Sequence, residues 1–248
     1  SAKSLGLDPW LALVASSGVA AVAALIVALP VLRLRGIYVI LVTFAFGQIC
    51  LQVILSQSDI TGGSRGMVLL PAIEIFGHSF ALDGRVGYFY LTLLLLAVST
   101  MYLRLLVRSP FGLSIQALRD NEDYAISRGI SVARQRIQTM VASAFFTGVA
   151  GGIYAAYLRV ASPEVFGFDF LVIVLSALLL GGTATVFGPV AAAVLLTLLA
   201  EWMADLEAWR YLVLACVIVA VLRFYPGGLY SLLTALATQL RNLRRRHA

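Results

Sequence analysis

The stretch WLALVASSGVAAVAALIVALPVL, residues 10–32, contains no charged side chain. A helix needs roughly 20 predominantly apolar residues to cross the hydrocarbon core of a bilayer, which is about 30 Å thick. Residues 10–32 meet this requirement without interruption. They therefore predict a transmembrane helix, and this prediction sets the fold class for the rest of the chain.

The composition of the whole chain agrees with a lipid environment. Of its 248 residues, 61% are hydrophobic and 12% are charged, whereas soluble domains average about 45–50% and about 25%. So much apolar surface exceeds what one buried core takes up, so part of it must face lipid. Four further runs have the character of spans: residues 37–55, 88–107, 137–158 and the shorter 211–225.

Residues 170–202 allow two interpretations. Apolar runs at 170–180 and 190–200 flank the Gly-rich segment GGTATVFGP at 181–189. They can form two crossings joined by a turn, or two half-helices that re-enter the membrane. We favour two crossings, and the chain is then an all-α, polytopic transmembrane helical bundle of about seven spans.

The cations indicate the orientation in the membrane. If successive spans cross the membrane in opposite directions, most of the cations lie on one side of it. These are Arg33, Arg35, Arg104, Arg108, Arg119, Arg128, Arg134, Arg136, Arg223, Arg241, Arg244, Arg245 and Arg246. The positive-inside rule makes that side cytoplasmic. Residues 119–129 and a basic tail at 234–248 then face the cytoplasm, and Ser1 lies outside. We expect an odd number of N-terminal spans to precede Ser1 in the full family fold.

Several function classes lack support in the sequence. No Asp or Glu lies in the middle of a span, which argues against an ion-coupled carrier. A P-loop needs a lysine after its glycines, and the only lysine is Lys3. His78 and His247 are too few for a usual metal cluster. We therefore expect no catalytic site, metal or cofactor in this chain. We also expect no disulfide between Cys50 and Cys216 and no nucleic-acid partner.

The most polar segment is RDNEDYAISRG, residues 119–129. Asp120 is a suitable N-cap for a short helix over about 121–128, and Asp123 would complete an acidic variant of the capping box. Arg128 falls in the last turn, and Gly129 can adopt the left-handed C-cap conformation. The segment is either a solvated loop or a helix that docks into a partner's groove.

A second helix is predicted just before this segment. In SPFG, residues 109–112, Ser109 can cap the helix and Pro110 suits the first helical position. Phe111, Ile115 and Leu118 would then share one face. The loop between the spans is thus expected to be two short helices.

The segment ALRDNEDYAISRGI, residues 117–130, resembles the cytoplasmic coupling loop of ABC importer permeases. Five stretches in order resemble the LivM-type branched-chain amino acid permease family more closely: residues 32–49, 61–67, 109–130, 149–190 and 223–233. The resemblance implies one transmembrane permease domain over 1–248, with a coupling loop at 109–130. Glu122, Ala125 and Gly129 match the coupling-loop pattern of such permeases. The residues that we expect to take part in ATPase coupling are Arg119, Asp120, Asn121, Glu122, Tyr124, Ala125, Arg128 and Gly129.

The resemblance also implies partners, a location and a substrate class. It implies two P-loop ATPase subunits that hold ATP and Mg, a second LivH-like permease chain, an external substrate-binding protein and membrane lipid, in a bacterial cytoplasmic membrane. Branched-chain or hydrophobic amino acids are the expected substrates, with urea, short amides or small organic acids as the alternative. A passive channel or ion-coupled carrier is the alternative of another class.

Residues for the transport pathway are less clearly marked. Glycine-rich breaks follow the second and fifth spans, and uncharged polar side chains lie within the second and fourth spans. The breaks suit an inverted repeat around a central substrate site, or they are simple turns. The polar side chains line a path or bond helix to helix. The candidates are Gln48, Thr61, Gly62, Gly63, Ser143, Gly181 and Gly182.

Overall fold

The computed structural model describes residues 9–34, 36–68, 74–75, 78–79, 86–182, 185–202 and 223. The chain divides into two compact units, Ser1–Phe166 and Gly167–Ala248, and each is described by itself. Helices make up most of the described residues. The expectation of an all-α, polytopic membrane protein is confirmed.

The first unit contains seven α-helices in its described residues. They are α1 (Pro9–Val31), α2 (Ile37–Ser56), α3 (Ser58–Thr61), α4 (Val86–Arg108), α5 (Pro110–Asp120), α6 (Glu122–Ser127) and α7 (Val132–Leu158). Four of these, α1, α2, α4 and α7, are long and apolar enough to cross a membrane. They coincide with the first four predicted spans to within a few residues at each end.

The core of the first unit lies between α1 and α7, with α4 beside them. Small residues allow the close approach, because a Cβ atom added at Gly148 would lie 2.8 Å from the Cβ of Ala20. Leu13, Tyr88 and Ile153 form a buried cluster near one end. Packing of small residues is how helices associate in lipid, where burial of apolar surface gives little advantage.

Short strands and turns join α2 and α7 at one end of the first unit. Strand β1 (Met67–Val68) pairs antiparallel with β4 (Val160–Ala161), while β2 (Glu74–Ile75) pairs with β3 (His78–Ser79). Two 3-10 turns, Gly63–Arg65 and Pro163–Phe166, flank the β1–β4 pair. The C-terminal ends of α2 and α7 therefore lie at the same end of the first unit.

The opposite end of the first unit gathers the other helix termini. The side chain of Arg136, in the first turns of α7, reaches the backbone carbonyl of Leu34, just after α1. A cavity at this end is lined by the end of α1, the start of α2 and parts of α5, α6 and α7. Consecutive long helices thus reverse direction, as successive membrane crossings require.

The second unit contains α8 (Phe168–Gly181) and α9 (Phe187–Trp202). Their contact is built from Ala177, Leu180, Ala192 and Leu196, all buried. The helices have 14 and 16 residues, or about 21–24 Å at 1.5 Å per residue. Each is shorter than a full span, so 170–202 stays open between two crossings and a re-entrant pair.

Two predictions lie outside the described residues. The span at 211–225, apart from Arg223, and the basic tail at 234–248 belong to this group. The total of seven spans therefore stays a prediction.

Candidate functional site

The corner between α4 and α5 forms as the sequence predicts. The Ser109 hydroxyl accepts a hydrogen bond from the Gly112 N–H at 3.3 Å and donates one to the Leu106 carbonyl at 2.6 Å. Pro110 begins α5. Gly112 is buried, and a side chain there would overlap the carbonyl oxygens of Leu106 and Val107. This packing fixes the direction in which α5 leaves the membrane helix.

The junction between α5 and α6 differs from the prediction. Asp120 is the last residue of α5, and the N-cap of α6 is Asn121, whose Oδ1 accepts the Tyr124 N–H at 2.9 Å. The chain leaves the helix only at Asn121, because the Asn121 N–H still bonds to the Ala117 carbonyl at 3.0 Å. The prediction of Asp120 as N-cap is therefore wrong.

The acidic residues near this junction take other positions than expected. With Asn121 as the cap, Asp123 falls at the second helical position, so the predicted capping box does not form. The Asp120 carboxylate instead pairs with the guanidinium of Arg119 at 3.0 Å. Glu122 and Asp123 still place negative charge in the first turn of α6, where the helix dipole favours it.

The C-terminal end of α6 confirms the role predicted for Gly129. Its φ of 85° lies in the left-handed region, where a residue without Cβ avoids strain. The Gly129 N–H bonds to the Ile126 carbonyl at 2.9 Å, and the Ile130 N–H bonds to the Ala125 carbonyl at 3.1 Å. This pair of bonds is a Schellman motif. Both ends of a six-residue helix are thus closed.

The side chains of α6 divide into a buried contact and an exposed part. Ala125 is only 1% exposed, so it packs the helix against the rest of the chain. Tyr124 and Ile126 are 58% and 44% exposed. The Arg128 guanidinium lies over the Tyr124 ring, 5.4 Å from its centre, and donates to the Tyr124 hydroxyl at 2.9 Å. Among the exposed residues of α6 and its C-cap, we call Tyr124, Ile126 and Arg128 the α6 face.

One arginine outside the predicted site connects α6 with two long helices. Arg136 on α7 pairs with the Glu122 carboxylate at 3.6 Å and donates to the Leu34 carbonyl at 3.2 Å. The sequence marks Arg136 only as one of the cations on the cytoplasmic side. No local signal marks its role, because Leu34 lies 102 residues away along the chain.

A cavity of about 480 Å³ lies beside this link. Its walls are mostly apolar, with Arg119, Glu122 and Gln135 among the polar residues that line it. The Oε1 atom of Gln135 is buried without a hydrogen-bond partner. The Ile115 and Leu118 side chains of α5 line the same cavity, while Phe111 lines a separate groove facing α4.

The structure separates the two polar pathway candidates that lie within spans. Ser143 lines a groove of about 590 Å³ between α4 and α7, together with Thr92, Ser99 and Thr147. Gln48 is exposed on α2 and does not line this groove. Gln48 and Ser143 therefore do not share this groove.

The glycine-rich candidates form tight turns. The Thr61 hydroxyl donates to the carbonyls of Ile54 and Gln57 at 2.5 and 2.9 Å, which closes the end of α2. Gly62 and Gly63, with φ of 78° and 56°, continue the turn. The Thr61 hydrogen bonds and the positive φ angles of the two glycines therefore form the turn that follows α2.

The remaining candidates, Gly181 and Gly182, belong to the second unit. Gly181 packs against the backbone of Gly188 and Pro189 where α8 meets α9. Gly182 follows with φ of 91°. These glycines bring two helix ends into direct contact.

Comparison with known proteins places the chain in a family. A family model described as branched-chain amino acid transport system / permease component matches residues 1–222. The high-affinity branched-chain amino acid transport system permease proteins LivM of Salmonella typhimurium (strain LT2) and Escherichia coli (strain K12) are each 34% identical over 245 residues. These alignments cover 90% of this chain and 58% of each relative.

The chain thus spans a little over half the length of these relatives. No solved structure matches it. The family match covers most of the sequence, including both helices of the loop between α4 and α7. The chain belongs to the branched-chain amino acid transport system permease component family.

Proposed function

We propose that this chain is a transmembrane part of the permease of an ATP-driven importer for branched-chain or other small hydrophobic amino acids. The observation that carries the proposal is α6, a six-residue helix capped at both ends that presents Tyr124, Ile126 and Arg128 outward. It lies where the Arg-rich ends of the long helices meet. A partner that binds this helix can act on several spans at once.

The physical properties of α6 favour docking over a solvated loop. Isolated helices shorter than about 12–15 residues are marginal in water, yet here side-chain and backbone caps close both ends. Tyr124 and Ile126 expose apolar surface beside an arginine. Aromatic residues and arginine are enriched at the centres of protein interfaces.

The proposed partners follow from what this chain lacks and from its family. ATP and Mg would be bound by two P-loop ATPase subunits, since the chain's only lysine is Lys3 and no P-loop can be formed. A second, LivH-like permease chain and an external binding protein would complete the importer. The proposed location is the bacterial cytoplasmic membrane, with lipid around the long helices.

The polarity of the long helices supports a substrate with little net charge. The central parts of α1, α2, α4 and α7 contain no Asp, Glu or Lys, and a strongly ionic solute would need paired charges along its route. A zwitterionic amino acid or a neutral amide does not. Competition assays on the complete transporter test this: leucine, isoleucine or valine should displace the substrate, whereas displacement only by a dianion or a polycation would contradict it.

The docking role of α6 can be tested by truncating side chains of the α6 face to alanine. Tyr124→Ala and Ile126→Ala remove exposed apolar contact without disturbing the buried Ala125. We expect each to reduce uptake about tenfold, which corresponds to about 1.4 kcal/mol of lost binding, and to reduce the amount of ATPase that co-purifies. Uptake and co-purification are measured on the complete transporter in vesicles.

A matched control comes from the neighbouring helix. Leu113 on α5 is 60% exposed, so Leu113→Ala removes a similar apolar side chain outside the α6 face. We expect it to change uptake less than twofold. Equal behaviour of all three variants, with normal ATPase recovery, would make α6 an ordinary loop. Ala125→Arg is a poor probe of docking because Ala125 is buried within this chain.

Orientation is tested by labelling. Ser127, on α6, and Ser64, in the turn after α2, are both exposed and lie at opposite ends of the first unit. In a background without Cys50 and Cys216, Ser127→Cys should react from the cytoplasmic side and Ser64→Cys from outside. Labelling of both from the same side would overturn the orientation and, with it, the docking of an ATPase on α6.

A further inference from the structure

Arg136 joins three elements that are distant in the sequence. Its Nη2 lies 3.6 Å from Glu122 Oε2, at the first residue of α6. Its Nη1 donates to the Leu34 carbonyl oxygen at 3.2 Å, just past the end of α1. Arg136 itself lies in the first turns of α7. The side chain of Arg136, which extends from α7, thus contacts both the short helix and Leu34, just past the end of α1.

The two long helices in this link are packed as a pair. The Ser16 hydroxyl on α1 donates to the Gly148 carbonyl on α7 at 3.0 Å. Gly148 and Gly152 let the backbones approach closely, since an added Cβ at either position would meet α1 atoms at less than 3 Å. Interiors packed this closely transmit displacement instead of absorbing it. A force at the Arg136 end therefore moves α1 and α7 together.

We propose that Arg136 is a positioning residue that transmits movement of α6 to the α1–α7 pair. The proposal rests on the proposed function, in which an ATPase subunit docks on α6. The Glu122 contact carries the movement from α6 into Arg136. The Leu34 contact carries it into the end of α1, while the Arg136 backbone belongs to α7.

The chemistry of the link requires an arginine. A planar guanidinium presents five donors in a fixed fork, so it can serve a carboxylate and a carbonyl from different edges at once. Lysine keeps the charge but is a single point donor on a flexible stem. The Leu34 carbonyl lies just past the C-terminal end of α1, near the negative end of the helix dipole, where a cation is favoured. Lysine should therefore preserve one contact and lose the coordination between the two.

The test measures uptake and ATP hydrolysis on the same vesicles containing the complete transporter and its loaded binding protein. Arg136→Ala should reduce the amount of amino acid taken up per ATP hydrolysed by about tenfold, within the range of ordinary coupling between sites. ATPase recovery should stay normal, because the α6 face is intact. Glu122→Gln should reduce the ratio in the same direction, and Arg136→Lys should give an intermediate ratio.

A matched control lies two residues earlier. Arg134 is exposed on the same turn of α7, and Arg134→Ala removes the same charge without touching Glu122 or Leu34. It should leave the ratio within twofold of the original protein. If Arg136→Ala prevents insertion, Glu122→Gln, which deletes only one charge, decides the question.

Three outcomes are distinct. A ratio that stays within twofold in Arg136→Ala and Glu122→Gln overturns the inference. A loss of inserted protein with an unchanged ratio per molecule also overturns it, because Arg136 then only stabilises the fold. Uptake that needs no ATPase in the unsubstituted transporter contradicts the proposed function itself, whatever the variants do.

Discussion

Helices α1 and α2 are both apolar and of spanning length, yet they differ in how they pack against the other helices. α1 packs along α7 and contains the buried residues Leu13, Ser17, Val27, Ala28 and Val31. α2 contains no buried residue. Apolar length places a helix in the membrane, but it does not decide which helix it packs against.

Small residues account for the difference. Along the contact, Ser16, Ser17 and Ala20 of α1 face Gly148 and Gly152 of α7. In lipid, the gain from bringing helices together comes from close packing and hydrogen bonds, and small side chains make both possible. α2 has Gly47, but no described heavy atom lies within 4 Å of a Cβ placed there.

The largest effect is expected for Gly148→Val. A Cβ there would lie 2.8 Å from the Ala20 Cβ, the Ser16 carbonyl oxygen and the Ser17 Cα. Two of these are backbone atoms that cannot rotate away, so we expect a loss of about 3 kcal/mol in the free energy of unfolding, at the upper end of typical overpacking. Unfolding of the purified permease in SDS measures it.

The control for this substitution is Gly18→Val on α1. No described heavy atom lies within 4 Å of a Cβ at Gly18, so the same change is made on the side of α1 away from α7. We expect it to cost less than about 0.5 kcal/mol. Equal losses at both positions would show that the α1–α7 contact is not the source of the stability.

A smaller effect is expected for Gly152→Ala. The added methyl would lie 2.7 Å from Leu13 Cδ2 and 2.8 Å from Ser16 Oγ. Both are ends of side chains that can shift, so we expect a loss of about 1 kcal/mol in the same SDS measurement. A loss as large as that of Gly148→Val would mean that Leu13 has no room to move.

Ser16→Ala should have a still smaller effect. The Ser16 hydroxyl bonds to the Gly148 carbonyl across the helix pair and to the Leu13 carbonyl within α1, at 3.0 and 2.8 Å. Hydrogen bonds between membrane helices contribute about 0.6 kcal/mol on average, so we expect a loss of that size. A loss above about 2 kcal/mol would show that this bond, and not the glycines, dominates the contact.

The sequence predicted elements better than contacts. The four long helices follow from length and apolarity alone, and the Ser109 and Gly129 caps follow from local chemistry. Local chemistry places the N-cap one residue early because Asp120 and Asn121 are both good caps. The Asn121 N–H bond to the Ala117 carbonyl, together with the Asn121 Oδ1 bond to the Tyr124 N–H, distinguishes them. The first of these bonds depends on how far α5 extends, which local preference does not fix.

The site shows the same limit. The resemblance to a permease family identifies the α6 segment, but it does not reveal that Ala125 is buried while Tyr124 and Ile126 are exposed. The Arg136 contact with Leu34 joins residues 102 positions apart. Such a contact is set by the packing of α1 against α7, so it emerges only when that packing is known.

The smallest expected effect separates α2 from the packed pair. Gly47→Val makes the same substitution as Gly148→Val, at a position where no described heavy atom lies within 4 Å of the added Cβ. In the purified permease it should change the free energy of unfolding by less than about 0.5 kcal/mol. A loss comparable to that of Gly148→Val would show that α2 packs as tightly as α1 and would remove the contrast between them.

Uptake by the complete transporter provides the sharper measurement, because the second permease chain is present there. If α2 faces lipid in the assembly, uptake stays within twofold of normal. If α2 packs against that chain, the valine separates the two surfaces, and uptake falls although the stability of the permease alone is unchanged.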